Sequence, residues 1–395
     1  MLTLSAIVVA WAVHSAVVIG GRRPVETTVP SPGPAFADRD LIAVRAVMHI
    51  HTRASWDGTG TVAELTGAAR SLGIPVVFLD EHNNTHAWDD AGFRNGVLIV
   101  PGTEVSLREG HELVWGAPRA GLDFVDALPD SVRTASVDSL VAATGAFAAV
   151  AHPRGGRKPW KGAFPRSASG VEIVNGDVAW RDDSAYELIR ALAFYPFDPA
   201  ASLASLVDTP RPALAYWDSL LAVRFVSGLA GLDAHGGVRS GRFSIRFPSY
   251  DAIMPLASQH IWITGALSGD PDEATAQLLT ALHAGHDFAA FDCFGNADGF
   301  AAWATSAGAT AIPGDAIPFA AGAMIHARIP RDPRVIVRLI ENARVIAEAG
   351  GWEPEFAVKE PGCYRLEVYQ RRHGPFGESL TLPWIFSNPI VVSPS

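Results

Sequence analysis

The chain has 395 residues, of which 48% are hydrophobic and 18% charged, with a net charge of −10. Its size suits two domains, or one large domain with a small one. Gly (37) and Pro (28) make up about a sixth of it, too little for a low-complexity chain. The acidic balance argues against a protein that grips duplex nucleic acid through its phosphates, since that needs a basic face. With two cysteines, Cys293 and Cys363, neither a disulfide-stapled scaffold nor a four-cysteine zinc site can form.

Leu2–Gly21 carries no charge and is interrupted only by His14. Roughly 20 apolar residues suffice to span a bilayer. No basic stretch precedes the run, and Arg22 and Arg23 follow it. Residues 1–23 therefore read as a signal or a membrane anchor, against the competing reading of a buried helix. As an anchor, the positive-inside rule would leave the rest in the cytoplasm; as a signal, the protein would be exported. The expected location is thus membrane-anchored or exported, with the side undecided. Residues 24–43, with Pro24, Pro30, Pro32 and Pro34, read as a linker.

From residue 44 a pattern recurs in which a short apolar run ends in a metal-type ligand. Val44–Ile50 leads to His49 and His51, Ile74–Leu79 to Glu81 and His82, and Val97–Val100 to Glu104. His111 opens the next run, Phe147–Ala151 ends at His152, and Val171–Val174 ends at Asn175. Ser227–Leu232 ends at Asp233 and His235. Between these runs Thr61–Leu72 and Ser136–Thr144 have helical spacing. Apolar runs alternating with helices predict parallel strands buried on both faces, and ligands at strand C-termini predict an α/β barrel with its site at that rim. Residues 180–226 read as a helical insertion, Asp272–Ala284 as a helix and Phe288–Phe291 as a closing strand. Beyond 295, alternating runs with turn signals predict a small β-sandwich over 295–395.

The chemistry gathers at the run ends: His49, His51, Asp57, His82, Glu104, His111, His152, Asp233 and His235. Residues i and i+2 of a strand face the same side, so each pair in H-x-H and D-A-H can reach one cation. Imidazole and carboxylate together suit Mn, Zn or Fe, and carboxylates can bridge cations. Nine ligands exceed one tetrahedral ion and predict two to three divalent metals. Asp57 is the least secure by geometry, because the loop around it also suits a cap or turn. His86, His260, His283, His286, His326 and His373 lack the strand-end setting and read as ordinary.

H-I-H-T-x-x-S-W-D-G (49–58), L-D-E-H-N (79–83), P-G-T-E-V (101–105), G-H-E-L (110–113), A-H-P-R (151–154), V-E-I-V-N-G (171–176) and G-L-D-A-H (231–235) resemble, in order and spacing, the motifs of the PHP family, the polymerase and histidinol phosphatase domain. The resemblance spans about residues 44–290. It implies a distorted (β/α)7 TIM-like barrel over 44–294, followed by the C-terminal β-sandwich, with a trinuclear cluster held by the same nine residues. It lends Asp57 a role that geometry alone leaves open. The family usually has Asp where this chain has Glu81. The tail is similar to the extra β domain of a subgroup that includes carbamate-ester hydrolases.

The expected activity is metal-dependent hydrolysis of a small phosphomonoester or a nucleotide-like phosphodiester. A hydroxide bridging metals about 3.5–4 Å apart would attack phosphorus in line. Arg154 is expected to clamp the phosphate through its planar fork, and Asn175 to orient substrate or cap a turn. Lys158 and Lys161 share the Arg154 loop and read as solvated. Trp56, Trp88, Trp160 and Trp180 lie near the same loops as wall or packing. The alternatives are a carboxyl- or carbamate-ester hydrolase on the same site, or a non-catalytic metal-binding module. Stable binding of duplex nucleic acid is not expected, and any membrane contact would come from the N-terminal segment alone.

Overall fold

The apolar runs become the wall of a barrel. The computed structural model describes residues 2–30, 33–181, 183–240, 243–331, 334–373 and 379–394. Among them seven strands close the wall: β1 (Leu41–Ile50), β2 (Val76–His82), β3 (Val97–Ser106), β4 (His111–Trp115), β5 (Phe147–Val150), β6 (Gly170–Asn175) and β7 (Ser227–Ala234). β1, β2 and β3 pair in parallel, as do β5, β6 and β7, and β7 returns in parallel to β1. β4 runs antiparallel to both of its neighbours.

This departs from regular strand–helix alternation. A tight turn joins β3 to β4, so the second strand must reverse. The reversal has a use: Ser106 pairs with His111, so the beginning of β4 stands at the same rim as the end of β3. His111 reaches the site from a strand N-terminus, not from a C-terminus.

Both faces of the wall are apolar, as parallel sheets require. Met48, Phe78, Val100, Leu113, Trp115 and Ala149 belong to the inner cluster; Val47, Val77, Ile99, Val114 and Val150 belong to the outer one, under the helices. The helix Pro271–Ala284 plugs the inner cluster through Leu278 and Leu282. The helix Val62–Ser71 starts at Thr61, whose side chain and Glu64 form a reciprocal capping box. Helices Ala185–Phe194, Pro199–Ala204 and Arg211–Leu221 occupy the stretch between β6 and β7.

The wall also continues sideways. The first half of β1 pairs antiparallel with β8 (Ser258–Thr264), β8 with β9 (Asp287–Ala290), and β9 with the strand Ser379–Ser387. Through Ser379–Ser387 the sheet reaches Gly362–His373 and Val335–Glu341. A separate four-stranded sheet, built around Ala301–Ser306 and Met324–Arg328, lies over it. One apolar cluster containing Phe288, Phe300, Ile325, Val337, Leu366 and Trp384 fills the space between.

The N-terminal run forms the helix Leu2–Gly20, with the Trp11 ring 6.3 Å from Phe194. Ser15 and Ile19 are buried, whereas Val8, Val9, Val13 and Val17 are exposed. No helix among the described residues is long and apolar enough to cross a membrane. The Pro-rich stretch is pinned by bridges from Val25 to Gly295 and from Thr28 to Arg331. Cys293 and Cys363 are separate free thiols.

Candidate metal centre

Strand ends alone would not aim these ligands correctly. In β1, Met48 faces inward and Ile50 outward, and strict alternation would turn His49 out. The backbone bulges there, with His49 at φ 60° and the pairing register to both neighbours shifting. The bulge sends Met48, His49 and His51 to the inner side. His152 (φ 29°) and Asp233 (φ 52°) also sit in the left-handed region. Such strain costs about 1–3 kcal/mol per residue and persists where surrounding structure imposes it.

The loop after β1 is tied down from beneath. The Glu81 carboxylate accepts hydrogen bonds from the Thr52 amide and hydroxyl and from Ser55 Oγ. Ser55 Oγ in turn accepts from the His82 amide at 3.0 Å. Tyr250 donates to the His51 carbonyl at 2.5 Å. A Cβ at Gly58 would lie 2.1 Å from the Thr52 carbonyl, so the turn requires glycine. The result places Asp57 3.3 Å from His235 Nε2 and 3.5 Å from His82 Nε2.

Glu104 lies at the middle of the constellation. Its Oε1 is 2.6 Å from His111 Nδ1 and 3.1 Å from His152 Nε2. Its Oε2 is 2.9 Å from His82 Nδ1, 3.2 Å from His49 Nε2 and 3.3 Å from His51 Nε2. Asp233 Oδ1 is 3.3 Å from His51 Nε2 and 3.6 Å from His49 Nε2. All nine sequence-predicted ligands therefore meet at one rim.

Their atoms fit cations. Nε2 of His49, His51 and His235, with one oxygen each of Asp57 and Glu104, are buried without an aligned hydrogen-bond partner among the described residues. Buried polar atoms are ordinarily satisfied. Three sets have their donor atoms within 4.8 Å of one another: His51, His82 and His235; His49, His51, Glu104 and Asp233; and Glu104, His111 and His152. Glu104 and His51 each belong to two sets. All donors are nitrogen or oxygen, which suits Mn, Zn or Fe and not a soft ion.

The charges are arranged to match. Burial alone would raise the Glu104 carboxyl, but the imidazoles of His82, His49 and His111 hold it well below the usual range. Burial opposes charge on His82 as well, yet Glu104 and Asp57 push it up to about 10. His51 is pushed down by burial and by the neighbouring His82 and His235.

Two supporting carboxylates escaped the sequence reading. Glu172 Oε1 is 2.7 Å from His49 Nδ1, and its Oε2 accepts from the His152 amide at 2.6 Å and from Asn175 Nδ2 at 2.9 Å. A Cβ at position 231 would lie 1.7 Å from Glu172 Oε1, so Gly231 is what admits this carboxylate. Asp80 Oδ2 accepts from the His49 amide at 3.1 Å, at the bulge itself. The available signal was an acid inside each apolar strand, V-E-I-V and V-F-L-D. Glu172 thereby orients the His49 imidazole and fixes its tautomer, while Asp80 holds the backbone.

The two residues expected to meet substrate lie elsewhere. Asn175 is engaged at both ends, with Nδ2 on Glu172 and Oδ1 accepting from the Val178 amide. Arg154 is exposed, with its guanidinium 4.1 Å from the Tyr216 ring centroid. It does not line the metal cleft, which measures about 240 Å³ and is walled instead by Trp56, Arg157, Lys158, Asp177 and Arg181. Arg181 is paired with Asp177 at 2.5 Å. Among the remaining histidines, His260 stacks on Phe288, and His286 is 3.0 Å from Asp315.

No family model and no curated protein matches the chain. Among solved structures, an amidohydrolase from Chromobacterium violaceum, with bound sulfate and no metal, is 15% identical. The match covers 49% of this chain and 91% of that one, with a TM-score of 0.31. A likeness at that level says nothing about this chain's activity.

Proposed function

We propose that this protein is a metal-dependent phosphoesterase of the PHP type, acting on a phosphomonoester or a nucleotide-like phosphodiester. The observation that carries the reading is the company the ligands keep. In a chain of net charge −10, Arg157 and Lys158 line the same cleft as His82, Glu104, His111, Asp233 and His235. A cleft that adds two side-chain cations to a cation-binding centre is built for an anionic group.

The three overlapping sets would hold two to three divalent ions. When bound, such ions polarise a phosphoryl or carbonyl oxygen and acidify water. The chain supplies the rest. The Arg157 fork matches two non-bridging phosphate oxygens, and Lys158 adds a compact point charge. Glu172 and Asp80 keep His49 in place, and Asn175 steadies Glu172. The phosphate clamp expected of Arg154 is thus assigned to Arg157 and Lys158. The outward valines of the Leu2–Gly20 helix support reading it as an export signal or an anchor that rests on a lipid surface.

The test is a substrate panel on purified protein with Mn²⁺ or Zn²⁺ added back. Turnover of p-nitrophenyl phosphate or bis-p-nitrophenyl phosphate is expected. Turnover of p-nitrophenyl acetate without either phosphate would replace this reading with a carboxyl-ester hydrolase. Bound metal with no turnover of any ester would leave a metal-binding module.

A further inference from the structure

Part of the wall of the metal cleft is a bare indole. Trp56 lines the cleft and is 65% exposed. The other tryptophans near these loops are covered. Trp160 is 4% exposed, Trp88 packs against the outer core cluster, and Trp180 lies under the Arg181 guanidinium at 4.5 Å. Trp56 stays exposed on a backbone that is held on both sides. Ser55 before it is bonded to Glu81 and to the His82 amide, and the Asp57 carbonyl after it accepts from the Arg239 amide at 2.8 Å. The loop thus fixes the base of the indole at the cleft.

Its place along the cleft is defined. The Trp56 ring centroid is 6.1 Å from that of His82, within the roughly 4.5–7 Å at which aromatic rings touch. Trp56 therefore borders the set of His51, His82 and His235. The cations stand beside another set. A Cβ on Gly156 would lie 3.4 Å from His152 Nδ1, so the segment carrying Arg157 and Lys158 rests on His152, which belongs with Glu104 and His111. Arg154 and Gly155, just before it, line a separate cavity. Asp177, an acid of the cleft outside the ligand sets, is paired with Arg181 at 2.5 Å.

Trp56, Arg157 and Lys158 line one and the same space, so a single molecule can meet the indole and the cations together. An apolar space of about 150 Å³ accepts a benzene ring. The cleft, at about 240 Å³, has room for one ring and a tetrahedral anion.

We propose that Trp56 is a specificity-determining residue, a platform on which a flat aromatic ring of the substrate stacks. The substrate class is then a phosphate ester carrying one such ring on a short link. The proposal rests on the phosphoesterase reading for the identity of the scissile group. The ring lies on Trp56 beside His82, and the anion faces Arg157 and Lys158. Stacking there adds affinity because two apolar faces leave water together.

Phosphonates have no scissile ester bond at the carbon side and read binding without turnover. The experiment titrates the zinc-loaded full chain with benzylphosphonate, cyclohexylmethylphosphonate and methylphosphonate by calorimetry. Benzylphosphonate should bind about tenfold tighter than methylphosphonate, roughly 1.4 kcal/mol, and tighter than the cyclohexyl compound, which is of similar size but not flat. The benzyl preference should disappear in Trp56→Ala and persist in Trp56→Phe. Equal affinity of the wild type for the benzyl and methyl compounds overturns the proposal. So does a cyclohexyl compound that binds as tightly as the benzyl one, or a benzyl preference that survives in Trp56→Ala. A benzyl preference that depends on Trp56, without turnover of any phosphate ester, keeps the platform and removes the phosphoesterase reading. Turnover of phenyl phosphate and methyl phosphate at equal KM keeps that reading and removes the platform.

Discussion

Glu104 touches five imidazoles, at 2.6–3.3 Å, with two oxygens. No hydrogen-bond arrangement satisfies five ring nitrogens from one carboxylate, and cations shared between ligand sets do. His49 shows how such a ligand is held: a left-handed backbone fixed by Asp80, and a ring fixed by Glu172. Glu172→Gln should therefore weaken metal affinity by about 10–100-fold with the far-UV spectrum unchanged; calorimetric titration with Zn²⁺ measures it. Arg157→Ala should lower kcat/KM for a phosphate ester by about tenfold or more, since a hydrogen bond to a charged group contributes about 1.5–3 kcal/mol. The same change should leave metal content intact. Eight of the ligands were legible at this scale because each is a polar residue at one end of an apolar run, whereas Asp57, in a loop, was legible only through the resemblance to the PHP motifs. Glu172 and Asp80 were not, since an acid within a strand is equally a mark of a loop until pairing shows it buried. Arg157 could not be told from Arg154 by spacing, because the glycine pair between them sets which cavity each one enters.

Elements carry these side chains to one rim. The β3–β4 reversal brings His111 beside Glu104, and the helix Arg211–Leu221 presents Tyr216 to Arg154. That helix is fastened from the other end of the chain. Arg365, 3% exposed, forms two bonds of 2.9 Å to the Asp218 carboxylate and one of 2.6 Å to Glu367. Removing one partner of a buried pair leaves an uncompensated charge, so Arg365→Ala should cost about 3–5 kcal/mol, read from urea denaturation. A second tie is titratable. Burial would raise the Asp315 carboxyl, but hydrogen bonds from His286, the Ile312 amide and Arg39 bring it down to about 2, from an ordinary 3.8. A depressed carboxyl stabilises the fold above its unfolded value, so this contribution is full above about pH 4 and disappears toward pH 2. Melting temperatures of the protein and Asp315→Asn should accordingly differ at pH 5 and converge as the pH falls to 2. Helix and strand positions were legible from periodicity. The direction of β4 and the Arg365–Asp218 tie were not, because each depends on which distant segments become neighbours.

At the scale of the molecule, one sheet runs from the barrel into the C-terminal region. Asp287 at the barrel base accepts hydrogen bonds from Ser227 and Asn388, and Asn388 Oδ1 accepts from the Gly228 amide at 2.8 Å. The barrel and the residues beyond 295 therefore share strand pairing as well as packing. The run pattern made a barrel wall legible and the resemblance to the PHP motifs implied its seven strands, but a continuous sheet is a property of long-range pairing that local sequence does not encode. The whole scaffold serves one arrangement, the convergence of nine nitrogen and oxygen donors from seven segments of the chain. Anomalous diffraction from crystals grown with Zn²⁺ tests it most directly. Two or three peaks are expected around Glu104, each about 2.0–2.2 Å from its nearest nitrogen and oxygen ligands. A map without anomalous density there, in which Glu104, His51 and Asp233 hydrogen-bond among themselves, would contradict it.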